Sequence, residues 1–205
     1  MVKAPRKTVA KKVTAILENA SAEPATLKSF RQWDGDFAFT RYWWLGEGAR
    51  AGIAPVVRKR MQPGDDPKFG NAAKIEVLLS PMAPSDYANV EFLLERFDGT
   101  LPPFEFHAMV QVKITLDPER TWHDAYEEVR AYARAHFARR FPVIMVAHVP
   151  ALAGLDGYGS HVHCIVLSRW IGINGLGGAC SNLCSDRGYA EALAAWRAHQ
   201  AREEV

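Results

Sequence analysis

Cysteine is scarce: Cys164, Cys180 and Cys184 are the only three in a chain of 205 residues. An odd number, in a chain long enough to bury a sizeable core, excludes a disulfide-stapled scaffold and fits a reducing compartment. Long apolar runs are lacking too. The longest, such as "PVIMVA" (142–147), fall far short of a membrane span or a secretory core segment, so a soluble, cytoplasmic protein with no membrane partner is expected. No internal repeat and no low-complexity block is visible. What remains is one cored unit, for which 48% hydrophobic and 11% aromatic residues supply the interior.

Net charge is also small, at +2, but it is unevenly spread. Residues 1–80 hold 14 Lys or Arg against 8 Asp or Glu, a balance of +6; residues 81–205 hold 11 against 15, a balance of −4. The first part is the candidate for touching a polyanion, the alternative being an ordinary solvated face.

Hydrophobic periodicity predicts the elements. "KTVAKKVTAILE" (7–18) spaces Val9, Val13 and Ile16 for a short basic amphipathic helix, within an N-terminal extension over 1–30 that precedes a folded domain over 31–205. "FAFTRYWWL" (37–45) and "KIEVLL" (74–79) read as strands, and the basic, turn-rich segment between them as a loop. Ser85 is placed to cap a helix carrying Tyr87, Val90, Leu94 and Phe97 on one face. In "FEFHAMVQVKITL" (104–116), Phe104, Phe106, Ala108, Val110, Val112, Ile114 and Leu116 alternate with polar residues, so they are expected on one face of a strand. A helix with Asp117 and Pro118 at its start and Trp122, Tyr126, Val129, Ala133 and Phe137 on one stripe follows. Two further strands, "VIMVAHV" and "HVHCIVLS", and a last helix with Tyr189, Leu193 and Trp196 complete an α+β fold with an antiparallel sheet and packed helices.

Chemistry concentrates in "GSHVHCIVLSR" (159–169). Side chains alternate along a strand, so His161 and His163 share a face at roughly 7 Å between Cα atoms. His148 ends the preceding strand, and the 12-residue connection (149–160) allows a long hairpin that brings it beside them. Three imidazoles on one side with open positions opposite would suit a catalytic metal ion, whereas each histidine taken singly would be an ordinary polar side chain. Cys180 and Cys184 have zinc-like spacing, but no second ligand pair follows.

The run "FPVIMVAHVPALAGLDGYGSHVHCIVLSRWIGINGLGG" resembles the metal-binding block of plasmid mobilisation relaxases of the MobA/MobL type, within the HUH endonuclease superfamily. There, a strand ending in His precedes an H-x-H strand and then an arginine. "VLLSPMAPSDYANVEFLLERF" and "AWRAH" are similar to further blocks, so the resemblance covers about residues 75–200. Gly159-Ser160 stands where the family has Asn-Pro before its H-x-H. The resemblance implies an HUH palm in which His148, His161 and His163 bind Mg or Mn, and a tyrosine attacks single-stranded DNA at a plasmid transfer origin. Accessory proteins of a relaxosome would be its partners.

The family's nucleophile lies near the N-terminus, which nominates Tyr42, the only tyrosine before residue 87. Single-tyrosine transposases of the wider superfamily place theirs after the H-x-H strand, which would nominate Tyr189. Arg41, Trp43, Arg58, Lys59 and Arg60 combine base-stacking surface with phosphate partners, and Arg169 follows the H-x-H strand, so these six are the expected DNA contacts. Two rival readings stay open: a DNA-binding or replication accessory protein that keeps the fold without catalysis, and a phosphoesterase that uses water in place of tyrosine.

Overall fold

Period-two runs of β-branched and aromatic residues build the sheet. The computed structural model describes residues 26–45, 50–62, 72–102, 104–155 and 158–203. Six strands, β1 (Thr26–Asp34), β2 (Phe37–Leu45), β3 (Lys74–Leu78), β4 (His107–Thr115), β5 (Val143–His148) and β6 (His161–Leu167), are ordered β1-β2-β4-β6-β5-β3. Every neighbouring pair is antiparallel. The helices are α1 (Ala54–Met61), α2 (Val90–Gly99), α3 (Trp122–His136) and α4 (Asp186–Glu203), and the α+β architecture expected from the sequence is present.

Each face of the sheet has its own core. Phe37 and Phe39 of β2, Val110, Val112 and Ile114 of β4 and Cys164 of β6 pack with Tyr126, Val129 and Tyr132 of α3 and Trp196 of α4. On the other face, Tyr42, Trp44, Met109, Ile144, Val146 and Ile165 pack with Val57 of α1 and Leu93, Leu94 and Phe97 of α2. Toward the ends of β1, β4 and β5 and the start of β6 this second face turns polar: Arg31, Lys113, Thr115, His148 and His161 occupy it and are exposed or partly exposed. The short helices α1 and α2 therefore cover only part of one face.

Several elements differ from their predicted form, each for a local reason. Tyr42 pairs with Met109 but Trp43 with His107, so Ala108 is an extra residue in a β-bulge. The bulge puts Ala108 in the second core rather than with Val110, and Phe104 and Phe106 precede the strand. Asn89, not Ser85, caps α2 by accepting from the Phe92 N–H at 3.0 Å, while Ser85–Ala88 is a separate 3-10 turn. Thr121 caps α3 by accepting from the Asp124 N–H. The expected loop between β2 and β3 contains α1, and the Gly-rich stretch after β6 forms a hairpin of β7 (Arg169–Gly172) and β8 (Gly175–Ala179). β1 starts at Thr26 and so crosses the boundary expected at residues 30 and 31. The helix expected over 7–18 lies outside the described residues.

The β1–β2 turn joins the sheet to α4. Asp34 pairs with Phe37, leaving a two-residue loop whose first residue, Gly35, has φ +56°, a left-handed conformation that suits glycine. Asp36 accepts from the Trp196 indole N–H at 2.8 Å and from Arg197, which also bonds Asp34. Trp196 is buried, so losing its acceptor leaves a buried donor without a partner. Asp36→Ala is expected to lower stability by about 1–3 kcal/mol, read as a lower urea midpoint at unchanged m-value.

Candidate metal and phosphate site

Antiparallel pairing decides where the histidines meet. His148, the last residue of β5, lies directly opposite His161, the first of β6, and His163 follows two residues later on the same face. The ring centroids are 5.1 Å apart for His148 and His161, 5.3 Å for His148 and His163, and 4.9 Å for His161 and His163. One ring nitrogen from each lies within 4.8 Å of the others. The sheet therefore converges all three expected ligands on one point, and this trio could hold a divalent metal ion.

The surrounding bonds favour that use. His161 Nδ1 donates to the Gly159 carbonyl at 3.2 Å, which frees Nε2 as an acceptor. Arg60, at the end of α1, lies close enough to the His148 ring to act on its charge. His163 is only 5% exposed, and its buried Nδ1 has no hydrogen-bond partner among the described residues. A buried polar nitrogen left without a partner is costly.

Charge is the second property of the site. Burial depresses all three imidazoles below the usual histidine range, to about 4 for His161, and Lys113 and Arg60 push in the same direction. Lys113 is itself lowered, first by burial and then by Arg31 and Arg60. Among the described residues, no carboxylate is one of the groups acting on these rings. Three neutral ligands would leave a bound cation its full charge, and the flanking cations would add to it, an arrangement that suits an anion as the remaining ligand.

The other expected site residues are dispersed. Arg60 is at the site: its guanidinium donates to Gln111 Oε1 at 3.1 Å, and Gln111 neighbours Lys113 along β4. Lys59 is exposed on α1, and Arg58 is paired with Glu91 of α2. Arg41 and Trp43 point to the opposite face, where they line a cleft of about 350 Å³ with Phe30, His107 and Cys184, and Arg41 bonds Asp186 at 3.0 Å. Arg169 is buried and donates to the carbonyls of Thr100, Leu176 and Gly177, so its guanidinium holds the β7–β8 hairpin. Cys184 is a buried thiol whose burial pushes its pKa up, and the histidine trio is the metal-competent cluster among the described residues.

Neither expected nucleophile is beside the histidines. Tyr42 is on the same face of the sheet but only 8% exposed, packed in the second core. It pairs with Met109, which pairs with Leu167, six residues beyond His161, or roughly 20 Å along the strand. Tyr189 packs on Phe37 and Phe39, on the opposite face. Lys113, Gln111 and Arg31 were not among the sequence-derived candidates. The signal for Gln111 and Lys113 was the polar set alternating through "MVQVKIT", which reads as a solvent face until the register sets Lys113 opposite His163.

The fold has a solved counterpart. The chain is similar, at a TM-score of 0.54 and 14% identity, to a protein whose structure was solved in work on the molecular basis of vancomycin resistance transfer in Staphylococcus aureus; the match covers 63% of this chain and 68% of that one. At that identity the likeness is one of fold. No protein-family model and no curated protein matches the chain.

Two outcomes follow from the geometry. Mn titrated into the protein by calorimetry should bind at one site per chain, with His163→Ala weakening it at least about tenfold, since the lost ligand is the buried one. In the metal-free protein, the folded rings stay neutral while the unfolded ones protonate near 6.5, so the unfolded state binds more protons below that pH. Stability should therefore fall as pH drops from about 6.5 toward 4, and His161→Gln should flatten that slope in urea titrations at successive pH values.

Proposed function

We propose that the protein nicks and rejoins single-stranded DNA in a reaction that depends on Mg or Mn, as a relaxase-like enzyme of plasmid mobilisation. The observation that carries this reading is a trio of neutral imidazoles flanked by Lys113 and Arg60, with no carboxylate acting on it among the described residues, an arrangement suited to a phosphodiester. A divalent ion held by His148, His161 and His163 would withdraw charge from a phosphoryl oxygen and fix the phosphate's position. Lys113 and Arg60 neutralise the remaining negative charge of the phosphate and its neighbours. Gln111, held by Arg60, keeps that guanidinium against the sheet.

The sheet also supplies a path for the strand. Trp33, Ala38, Lys113 and His163 are partners in one row across β1, β2, β4 and β6. At about 4.8 Å between strands that row is roughly 14 Å long. Trp33, 72% exposed at one end, offers a ring face for base stacking, with Arg31 on the same face two residues away. A cationic centre with an aromatic end fits an unpaired strand, whose bases are free to stack. The fold shared with a protein studied for resistance transfer supports a role in moving DNA between cells.

The test is cleavage of single-stranded oligonucleotides on denaturing gels with Mn or Mg. Wild-type protein is expected to cut, and His161→Ala to lose at least about a hundredfold in rate. Trp33→Ala should weaken strand binding by roughly 1–3 kcal/mol, read by fluorescence anisotropy, with Mn affinity unchanged. Cutting without a covalent protein–DNA product would favour attack by water, a reading that the distance of Tyr42 and Tyr189 from the trio also supports. Strand binding with no cutting in either metal would sink the enzymatic reading in favour of the accessory role.

A further inference from the structure

Trp43 packs in neither core, although its neighbours along β2, Tyr42 and Trp44, are both buried in the second one. It is partly exposed and instead lines the cleft of about 350 Å³ on the α3–α4 side of the sheet, together with Phe30, Arg41, Tyr42, His107 and Cys184. Phe30 lies opposite Arg41 in the register, with the Arg41 guanidinium 5.0 Å over its ring. Because Phe30 is on the edge strand and 49% exposed, the cleft opens at that edge of the sheet. A volume of this size takes one small planar molecule.

Two polar atoms of the lining residues are buried and have no hydrogen-bond partner among the described residues: Arg41 Nε and His107 Nδ1. Both side chains are held at their bases. A terminal nitrogen of Arg41 is paired with Asp186 at 3.0 Å, which leaves the Nε–H as a separate donor. The His107 N–H donates to the Glu105 carboxylate at 2.8 Å, and the His107 carbonyl accepts from the Ser168 hydroxyl at 2.8 Å, so the residue is fixed where the β4 bulge begins. An arginine Nε–H only donates, whereas an imidazole Nδ1 donates or accepts according to its tautomer. Buried groups of this kind are nearly always satisfied in a working protein.

The cleft therefore combines a ring platform, one fixed donor and one adaptable partner. A phosphate has no use for the rings, and an aliphatic molecule has none for the donors. A nucleobase uses all three, since its flat face stacks on aromatic side chains and its edge carries an acceptor beside a second polar group. We propose that this cleft binds a single unpaired nucleobase, stacked on Trp43 beside Phe30 and hydrogen-bonded by Arg41 Nε and His107 Nδ1. The base comes from a free nucleotide or from a strand. Trp33 is three residues from Phe30 along the same edge strand but on the other face, so a strand passing over Trp33 reaches the cleft by rounding β1, roughly 10 Å farther along it. The strand-borne source rests on the reading of the trio face as a path for single-stranded DNA, and the cleft itself does not.

The experiment titrates the full chain, isotope-labelled and without added metal, with each of the four deoxynucleoside 5′-monophosphates, and with ribose 5-phosphate as the base-free probe. The side-chain N–H resonances of Arg41 and Trp43 are followed, assigned by their loss in Arg41→Lys and Trp43→Ala. At least one nucleotide is expected to move both signals saturably, and ribose 5-phosphate to move neither. In ligand-detected titrations, Arg41→Lys and Trp43→Ala should each weaken that binding at least about fivefold, with Arg41→Lys keeping the wild-type urea midpoint because its charge still pairs with Asp186. A trinucleotide carrying the preferred base at its centre separates the two sources: tighter binding than the free nucleotide assigns the cleft to a strand, and equal or weaker binding assigns it to a free nucleotide. Signals that no nucleotide moves overturn the proposal. So do signals that ribose 5-phosphate moves as far as the nucleotides do, or wild-type affinity in a folded Arg41→Lys. Each of these outcomes leaves cutting at the trio to be judged by its own assay.

Discussion

Everything at the site depends on the antiparallel register of β6 between β4 and β5. Because side chains alternate with period two, a shift of one residue would send His161 and His163 into the α3–α4 core and bring Val162 and Cys164 out to the cationic face. The register is defended by apolar burial on both faces, with Cys164 and Val166 packed on one side and Ile165 and Leu167 on the other. A central strand with two buried faces has little freedom to slip. The three histidines are thus held on interior strands of the sheet, which is where a preformed ion site is best built.

Incomplete covering of one face is what turns this stiffness into a usable surface. α1 and α2 protect Trp44, Met109 and Ile144, then stop short of Lys113 and the trio. The last turn of α1 does touch the site: the Arg60 side chain donates to Gln111, and its charge acts on His148. A helix positioned by its buried Val57 thereby also sets the charge beside the trio, so packing and electrostatics on this face are one arrangement.

Much of this was legible in the sequence, for reasons that particular residues make plain. The trio was legible because i, i+2 spacing on a strand and a hairpin-length connection need no long-range knowledge. β2 and β5 were legible from apolar runs, and the stripe of α3 from Tyr126, Val129 and Ala133. β1 was not, because "TLKSFRQWD" is an edge strand with little burial and so carries no apolar alternation. The roles of Arg41 and Arg169 were hidden for a different reason: a guanidinium looks the same in sequence whether it is free for phosphate or committed to Asp186 or to three carbonyls. Lys113 had the reverse fate, since only the β4–β6 register reveals its neighbour.

The bonds from Asp36 to Trp196 and Arg197 join residues 160 and 161 positions apart in the chain. On a ribosome, β1 and β2 emerge long before the helix that secures their turn exists, so the hairpin with Trp33 and Arg31 must wait with its core-facing Phe37 and Phe39 uncovered. Synthesis at about 5–20 residues per second makes that delay of order ten seconds or more. Through that interval an aromatic hairpin with an open edge is a target for pairing with other chains, and a chaperone that shields it would find its substrate in the newborn protein rather than the finished one.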